Sequence, residues 1–263
     1  MSNDVVVVTS FSRAGYAQYG AEFLRSWDKY GESELCVFYE DSTPLSTKFE
    51  DTVTPIRWWF NLMKDQSLID FLKTAPAEDK DKEIHWKANA GKFARKVFAL
   101  NSQHIPRSTW RIWLDADTIA TQPITDEWLL TLCVKPINYL GRQDAPTSEC
   151  GFVAYKMDAA GALFLTRFKA VYQTGEYLSY PEWHDSYIFD RVMEEFEEPE
   201  KLFHNLSEGL RGLHVFDDSP IGARLQHKKG PLRKDANAMA KLATMPDYYL
   251  SNQELSRFGR VRA

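Results

Sequence analysis

The chain has 263 residues, 44% of them apolar and 26% charged, a balance that fits a folded globular protein and neither a disordered nor a fibrous one. At roughly 100–200 residues per domain, this length allows one large α/β domain or two small ones. The formal net charge of −5 excludes a surface that coats nucleic acid over its whole extent, and no apolar run approaches the roughly 20 residues of a membrane-crossing helix.

The N-terminus has no basic flank before a hydrophobic stretch, so a cytoplasmic location is expected. Cys36, Cys133 and Cys150 are an odd, widely spaced set without C-x-x-C, which predicts free thiols rather than a disulfide framework or a cysteine-built metal site.

The β-branched run Val5-Val6-Val7-Val8 predicts a strand buried on both faces. It continues through Thr9-Ser10-Phe11 into a helical pattern of Tyr16, Phe23, Leu24 and Trp27, which Gly31 closes. Leu35-Cys36-Val37-Phe38-Tyr39 is the next strand, and strand, helix, strand at this spacing predicts a parallel pair. Residues 45–82 include Trp58-Trp59-Phe60 and a charged stretch at 78–82, and they are expected to form an insertion or short helices.

A helix is predicted over 86–100, with Ala90, Phe93, Ala94 and Val97 on one face and Lys92 and Lys96 together on the other. The short strand Arg111-Ile112-Trp113-Leu114 then stops abruptly at Asp115-Ala116-Asp117-Thr118. Further strands are predicted at 137–140 and 152–155, and helices at about 159–172 and 182–196. From Arg224 onward nine basic residues face three acidic ones, which makes this end an anion-binding segment or a solvated tail.

Asp115 and Asp117 carry the strongest chemical signal. In an extended chain residues i and i+2 point to one side, so two carboxylates at the carboxyl end of a buried strand converge and repel. A divalent cation is the simplest neutraliser. Mg²⁺ or Mn²⁺ suits a site of one or two carboxylates completed by substrate phosphates, and the carboxyl edge of an open α/β sheet is where ligands bind. The plainer alternative is a turn, with Asp115 capping a following helix and Asp117 facing water. Asp185 shares a helical face with Ile188, Phe189, Val192 and Phe196, so it needs a partner there; a first-turn acid favoured by the helix dipole is the competing explanation.

The strand-borne Asp115-x-Asp117, the first strand running into Thr9-Ser10-Phe11, the lysine helix before the acidic strand, and a late His227-Lys228-Lys229-Gly230 together resemble metal-dependent glycosyltransferases of the GT-A fold. The nearest pattern is the glycogenin-like and bacterial galactosyltransferase-like family. This resemblance implies an α/β fold with a Rossmann-like mixed sheet flanked by helices, forming one domain over 1–263. A nucleotide-binding half would run to about residue 120, a sugar and acceptor half to about 235, and a tail would follow.

The resemblance also implies Mn²⁺ or Mg²⁺ on Asp115, Asp117 and His227, and a nucleoside-diphosphate sugar, UDP-linked, as donor. Thr9, Ser10, Phe11, Asp115 and Ala116 would line the nucleotide pocket. Lys96 or Lys92 would reach the donor, and Gly230 with Arg233 or Lys234 would meet the diphosphate. The late motif departs from the family form, because Arg233 holds the sixth place after the histidine, Lys234 follows it, and no Pro-Trp comes next. Glu149, in Ser148-Glu149-Cys150-Gly151-Phe152, and Asp185 would contact the sugar as the catalytic pair. Transfer with anomeric retention is the implied outcome.

A haloacid-dehalogenase-like phosphatase is the main rival, with Asp115 as nucleophile and Asp217-Asp218 as the later acidic pair. Its acidic strand normally opens the fold, whereas here two strand–helix units come first. A nucleotidyltransferase would need a glycine-rich loop that Thr9-Ser10-Phe11-Ser12-Arg13 does not provide. A carbohydrate-binding module without catalysis ranks third. The sequence does not write out the acceptor: a glycan, a protein, a small molecule and hydroxymethylated DNA bases are all candidates.

Overall fold

The computed structural model describes residues 3–42, 57–76, 89–228, 245 and 250–261. The charged stretch 78–82 and the segment carrying Gly230, Arg233 and Lys234 lie outside the described residues. In chain order come β1 (Asn3–Phe11), helix α1 (Ala21–Tyr30), β2 (Glu34–Tyr39), β3 (Arg57–Asn61), α2 (Gln66–Thr74), α3 (Ala90–Leu100), β4 (Ser108–Leu114) and β5 (Thr118–Ala120). Then follow α4 (Asp126–Thr131), β6 (Ile137–Leu140), β7 (Glu149–Lys156), α5 (Ala159–Gln173), α6 (Asp185–Glu194), β8 (Phe203–Asn205), α7 (Val215–Asp218), β9 (Leu225–His227) and α8 (Asn252–Arg257).

Seven strands form one sheet in the order β3-β2-β1-β4-β7-β6-β8, while β5 and β9 make a separate two-stranded ribbon. Strands β3, β2, β1 and β4 are mutually parallel, and β7 runs antiparallel between β4 and β6. The sheet is therefore mixed, and it is covered on both faces. Alternate residues of the central strands go to opposite sides. Val6, Val8, Cys36, Phe38 and Trp113 pack against α3, α5 and α6. Val5, Val7, Leu35, Val37, Ile112 and Leu114 pack against α1, α4 and α7. That double burial is why Val5-Val6-Val7-Val8 reads as an unbroken apolar run.

The strands and helices expected from hydrophobic periodicity are present, most of them with ends moved by a few residues. The expectation of an insertion or short helices over 45–82 holds in part: α2 is such a helix, but Trp58-Trp59-Phe60 belongs to the edge strand β3, paired in parallel with β2 from Leu35↔Arg57 to Tyr39↔Asn61. An edge strand half-exposed on its aromatic side has no clean alternation, and Trp58 is 48% exposed.

The topology places the site. The chain runs outward from β1 to β2 and β3, then returns to lay β4 on the other side of β1. The strand order thus reverses between β1 and β4, and a crevice opens there at the carboxyl ends of the strands. Asp115 follows the last residue of β4 at this point.

Candidate active site

Asp115, Asp117 and His227 come together at that crevice, each offering one ligand atom within 4.8 Å of the others. They converge by a different route from the one the sequence suggested. Residues 115–117 are not extended; they form a turn closed by the Thr118 N–H donating to the Asp115 carbonyl at 3.1 Å. The Asp115 N–H in turn donates to the Gly151 carbonyl of β7 at 2.9 Å, which ties the turn to the sheet. The turn leads into β5 and not into a helix, so the Asp115 carboxylate caps none.

His227 arrives through the β5–β9 ribbon, in which Thr118 is the partner of His227, and the Lys228 N–H donates to the Asp117 carbonyl at 2.9 Å. Its Nε2 lies 3.0 Å from Asp117 Oδ1 and 3.9 Å from Asp115 Oδ2. Burial works against protonation of the ring, yet the charge and hydrogen bond of Asp117, with Glu149 and Asp115 further out, hold its pKa above the usual 6.5. Where one imidazole nitrogen meets two carboxylates, a divalent cation can take the place of the proton they share. Two hard oxygen donors and one imidazole nitrogen suit Mn²⁺ or Mg²⁺.

Lys96 on α3 completes the cluster. Its Nζ donates to the Cys150 carbonyl at 2.7 Å, lies 3.1 Å from Asp115 Oδ1, and hydrogen-bonds the Asp185 carboxylate. Desolvation opposes its charge, but Asp115 and Asp185 outweigh it and lift its pKa above the ordinary lysine value. Asp185 opens α6, with His184 as the N-cap. Both sequence explanations therefore hold at once: it is a first-turn acid, and its core-side carboxylate has found a cationic partner. Trp113 Nε1 donates to Asp115 Oδ1 at 2.6 Å.

Lys92, one turn before Lys96, is exposed and lies over the Phe93 ring. Thr9 and Phe11 are 0% and 1% exposed, and Ala116 is 4% exposed, so their side chains belong to the core rather than to a pocket wall. The Thr9 hydroxyl has no hydrogen-bond partner. Ser10 is partly exposed and donates to Glu40 at 2.6 Å. Glu149 is 2% exposed; it lies behind His227 instead of on the open rim. Asp217 of the rival acidic pair accepts the His227 main-chain N–H at 2.8 Å, and the candidate metal cluster among the described residues does not include it.

Two features escaped sequence reading. Residues 16–20 form a π-helical segment between β1 and α1, a local widening of the helix that recurs at functional sites and that no simple period reveals. It sets Tyr19 at the crevice, where burial and the charges of Glu40, Asp117 and Asp115 push the phenol pKa up. A cleft beside Asp117 is lined by Gln18, Tyr19, Glu22 and Lys228, with Lys228 Nζ 3.1 Å from Glu22.

No protein-family model matches the sequence, and no curated protein matches it. Solved structures do. The apo crystal structure of mouse xyloside xylosyltransferase 1 superposes with a TM-score of 0.52 at 12% identity, over 88% of this chain and 99% of that one. The glycosyltransferase GlyE of Streptococcus pneumoniae superposes at 0.50 with 13% identity, over 79% of this chain and 46% of GlyE, and its apo form does so at 0.50 with 12% identity. This is the GT-A fold. At such identities the likeness establishes architecture, and the chain spans less than half the length of GlyE. Among the described residues no helix is long and apolar enough to cross a membrane.

Proposed function

We propose that the protein is a metal-dependent glycosyltransferase that moves a sugar from a nucleoside-diphosphate donor, UDP-linked, to a hydroxyl acceptor with retention at the anomeric carbon. One observation carries this reading: Asp115, Asp117 and His227 meet within 4.8 Å of one another at the strand-order reversal of a GT-A sheet.

Asp115, Asp117 and His227 would hold Mn²⁺ or Mg²⁺. The bound cation would stabilise the negative charge that builds on the leaving diphosphate as the glycosidic bond breaks. Lys96, kept protonated by its two carboxylates, adds fixed positive charge to the same rim. Asp185, which lies across Lys96 from Asp115, is the carboxylate we assign to the sugar hydroxyls. The segment bearing Gly230, Arg233 and Lys234 remains the proposed source of a further cation for the diphosphate, and the acceptor class is open among glycan, protein, small molecule and modified DNA.

The phosphatase reading loses its second acidic pair, since Asp217 is engaged with the main chain of His227. The test is a panel of nucleotide sugars incubated with Mn²⁺ and followed by release of nucleoside diphosphate, which needs no acceptor. Cleavage of at least one donor, abolished by chelation, is expected. Folded protein that leaves every donor intact but hydrolyses simple phosphomonoesters would replace this reading with the phosphatase.

A further inference from the structure

Burying a carboxylate is costly unless its oxygens are satisfied, so buried acids that the proposed reaction does not use call for an explanation. Glu149 and Asp217 are two such acids, 2% and 8% exposed. They come from different elements, β7 and α7, and each turns one oxygen toward His227, while the other oxygen of Glu149, Oε2, has the Arg142 guanidinium 3.7 Å away. Asp217 Oδ1 accepts the His227 main-chain N–H at 2.8 Å. Glu149 Oε1 lies 4.0 Å from His227 Nδ1, on the far side of the ring from Asp117, and also accepts the Gly151 N–H at 3.1 Å.

The remaining sides of the imidazole are closed as well. The Phe216 ring lies 4.9 Å from it, and a Cβ on Gly151 would stand 2.8 Å from His227 Cε1. Such a frame has a physical purpose. Strands β5 and β9 are three residues each, and a two-stranded ribbon of that size is marginal by itself. Without added anchors His227 would present its nitrogen with little precision.

We propose that Glu149 and Asp217 are positioning residues for His227, with Asp217 fixing its main chain and Glu149 setting the ring so that Nδ1 faces the protein and Nε2 faces Asp115 and Asp117. A metal-bound histidine generally directs its second nitrogen to a carboxylate, carbonyl or water in this way. The inference rests on the metal site proposed above. It gives Glu149 a role other than the sugar contact that the sequence resemblance implied.

The experiment is a Mn²⁺ titration of the full chain, read from the electron paramagnetic resonance signal of the free ion, with circular dichroism as the check on folding. Glu149→Gln, which removes the negative charge facing Nδ1, and Asp217→Ala, which removes the acceptor of the His227 main-chain N–H, are expected to weaken Mn²⁺ binding by about ten-fold to a hundred-fold, the usual range for such outer partners. Asp217→Asn keeps an acceptor oxygen and is expected to bind nearly as the native chain does, a rescue that general destabilisation would not produce. Folded Glu149→Gln and Asp217→Ala variants with unchanged Mn²⁺ affinity overturn the inference. If Asp217→Ala does not fold, the near-isosteric Glu149→Gln decides alone. Native protein whose Mn²⁺ binding is absent, or is unaffected by Asp115→Asn and Asp117→Asn, sinks the metal site itself and this inference with it; native binding that needs both aspartates but ignores Glu149 and Asp217 sinks the inference only.

Discussion

Lys96→Met tests the electrostatics of the crevice directly. The lysine side chain is 11% exposed and that of Asp185 is 8%, so the pair is shielded from water, whereas Asp115 at 30% retains solvent. Methionine keeps most of the aliphatic stem and removes the ammonium, leaving Asp185 as a buried charge without its cation. Removing one partner of a buried pair costs about 3–5 kcal/mol, most of it the penalty on the stranded ion. For a chain of this size about 2–4 °C accompanies each kcal/mol, so the melting temperature should fall by roughly 6–20 °C.

Urea unfolding followed by tryptophan fluorescence measures the loss. The double variant Lys96→Met/Asp185→Asn no longer strands a charge, so its loss should fall short of the summed losses of the two single variants by a coupling of about 0.5–3 kcal/mol. A single variant within about 1 kcal/mol of the native chain, or a double variant whose losses simply add, would refute the buried-pair argument.

Asp115→Asn and Asp117→Asn should each abolish Mn²⁺-dependent nucleotide binding in isothermal calorimetry with the far-ultraviolet spectrum intact; retained metal dependence in either one removes it from the ligand set. Gly151→Ala should lower Mn²⁺ affinity and cost about 1–3 kcal/mol of stability, because the new methyl would stand 2.8 Å from His227 Cε1 inside a closed frame; an unaltered titration would show that the ring can yield. Asp65 caps α2, accepting the Ser67 N–H at 2.9 Å and the Leu68 N–H at 3.3 Å. Desolvation raises its pKa, but the bonds from Ser67 and the charge of Lys169 more than reverse this, and the folded value lies below the usual one. Its stabilisation is therefore full above the unfolded carboxylate pKa and fades as the pH falls through the lowered value. Asp65→Ala should cost about 0.5–2 kcal/mol near neutrality and progressively less in acid; a cost that does not vary with pH would contradict the lowered pKa.

What the sequence determined by itself is the local pattern. The run Val5-Val6-Val7-Val8 gave a strand enclosed on both faces, the apolar lead of Ile112, Trp113 and Leu114 put Asp115 at the end of a core strand, and the helical period put Lys96 on the face away from Ala94 and Val97. These inferences need only neighbours a few residues apart, where covalent geometry fixes which side chains share a side. Trp58-Trp59-Phe60 marks the limit of that reasoning, since at a sheet edge burial no longer alternates and the period disappears.

Tertiary structure alone decided the rest. His227 meets Asp117 across a separation of 110 residues, and Asp185 meets Lys96 across 89. No spacing rule reaches so far, because which segments meet depends on the packing of the whole chain. The same packing sank the side chains of Thr9, Phe11 and Ala116 into the core, left Lys92 in water, and turned Glu149 from the rim towards the back of His227. A residue's type shows which chemistry it can do; the partners that the fold sets around it decide which of those it performs.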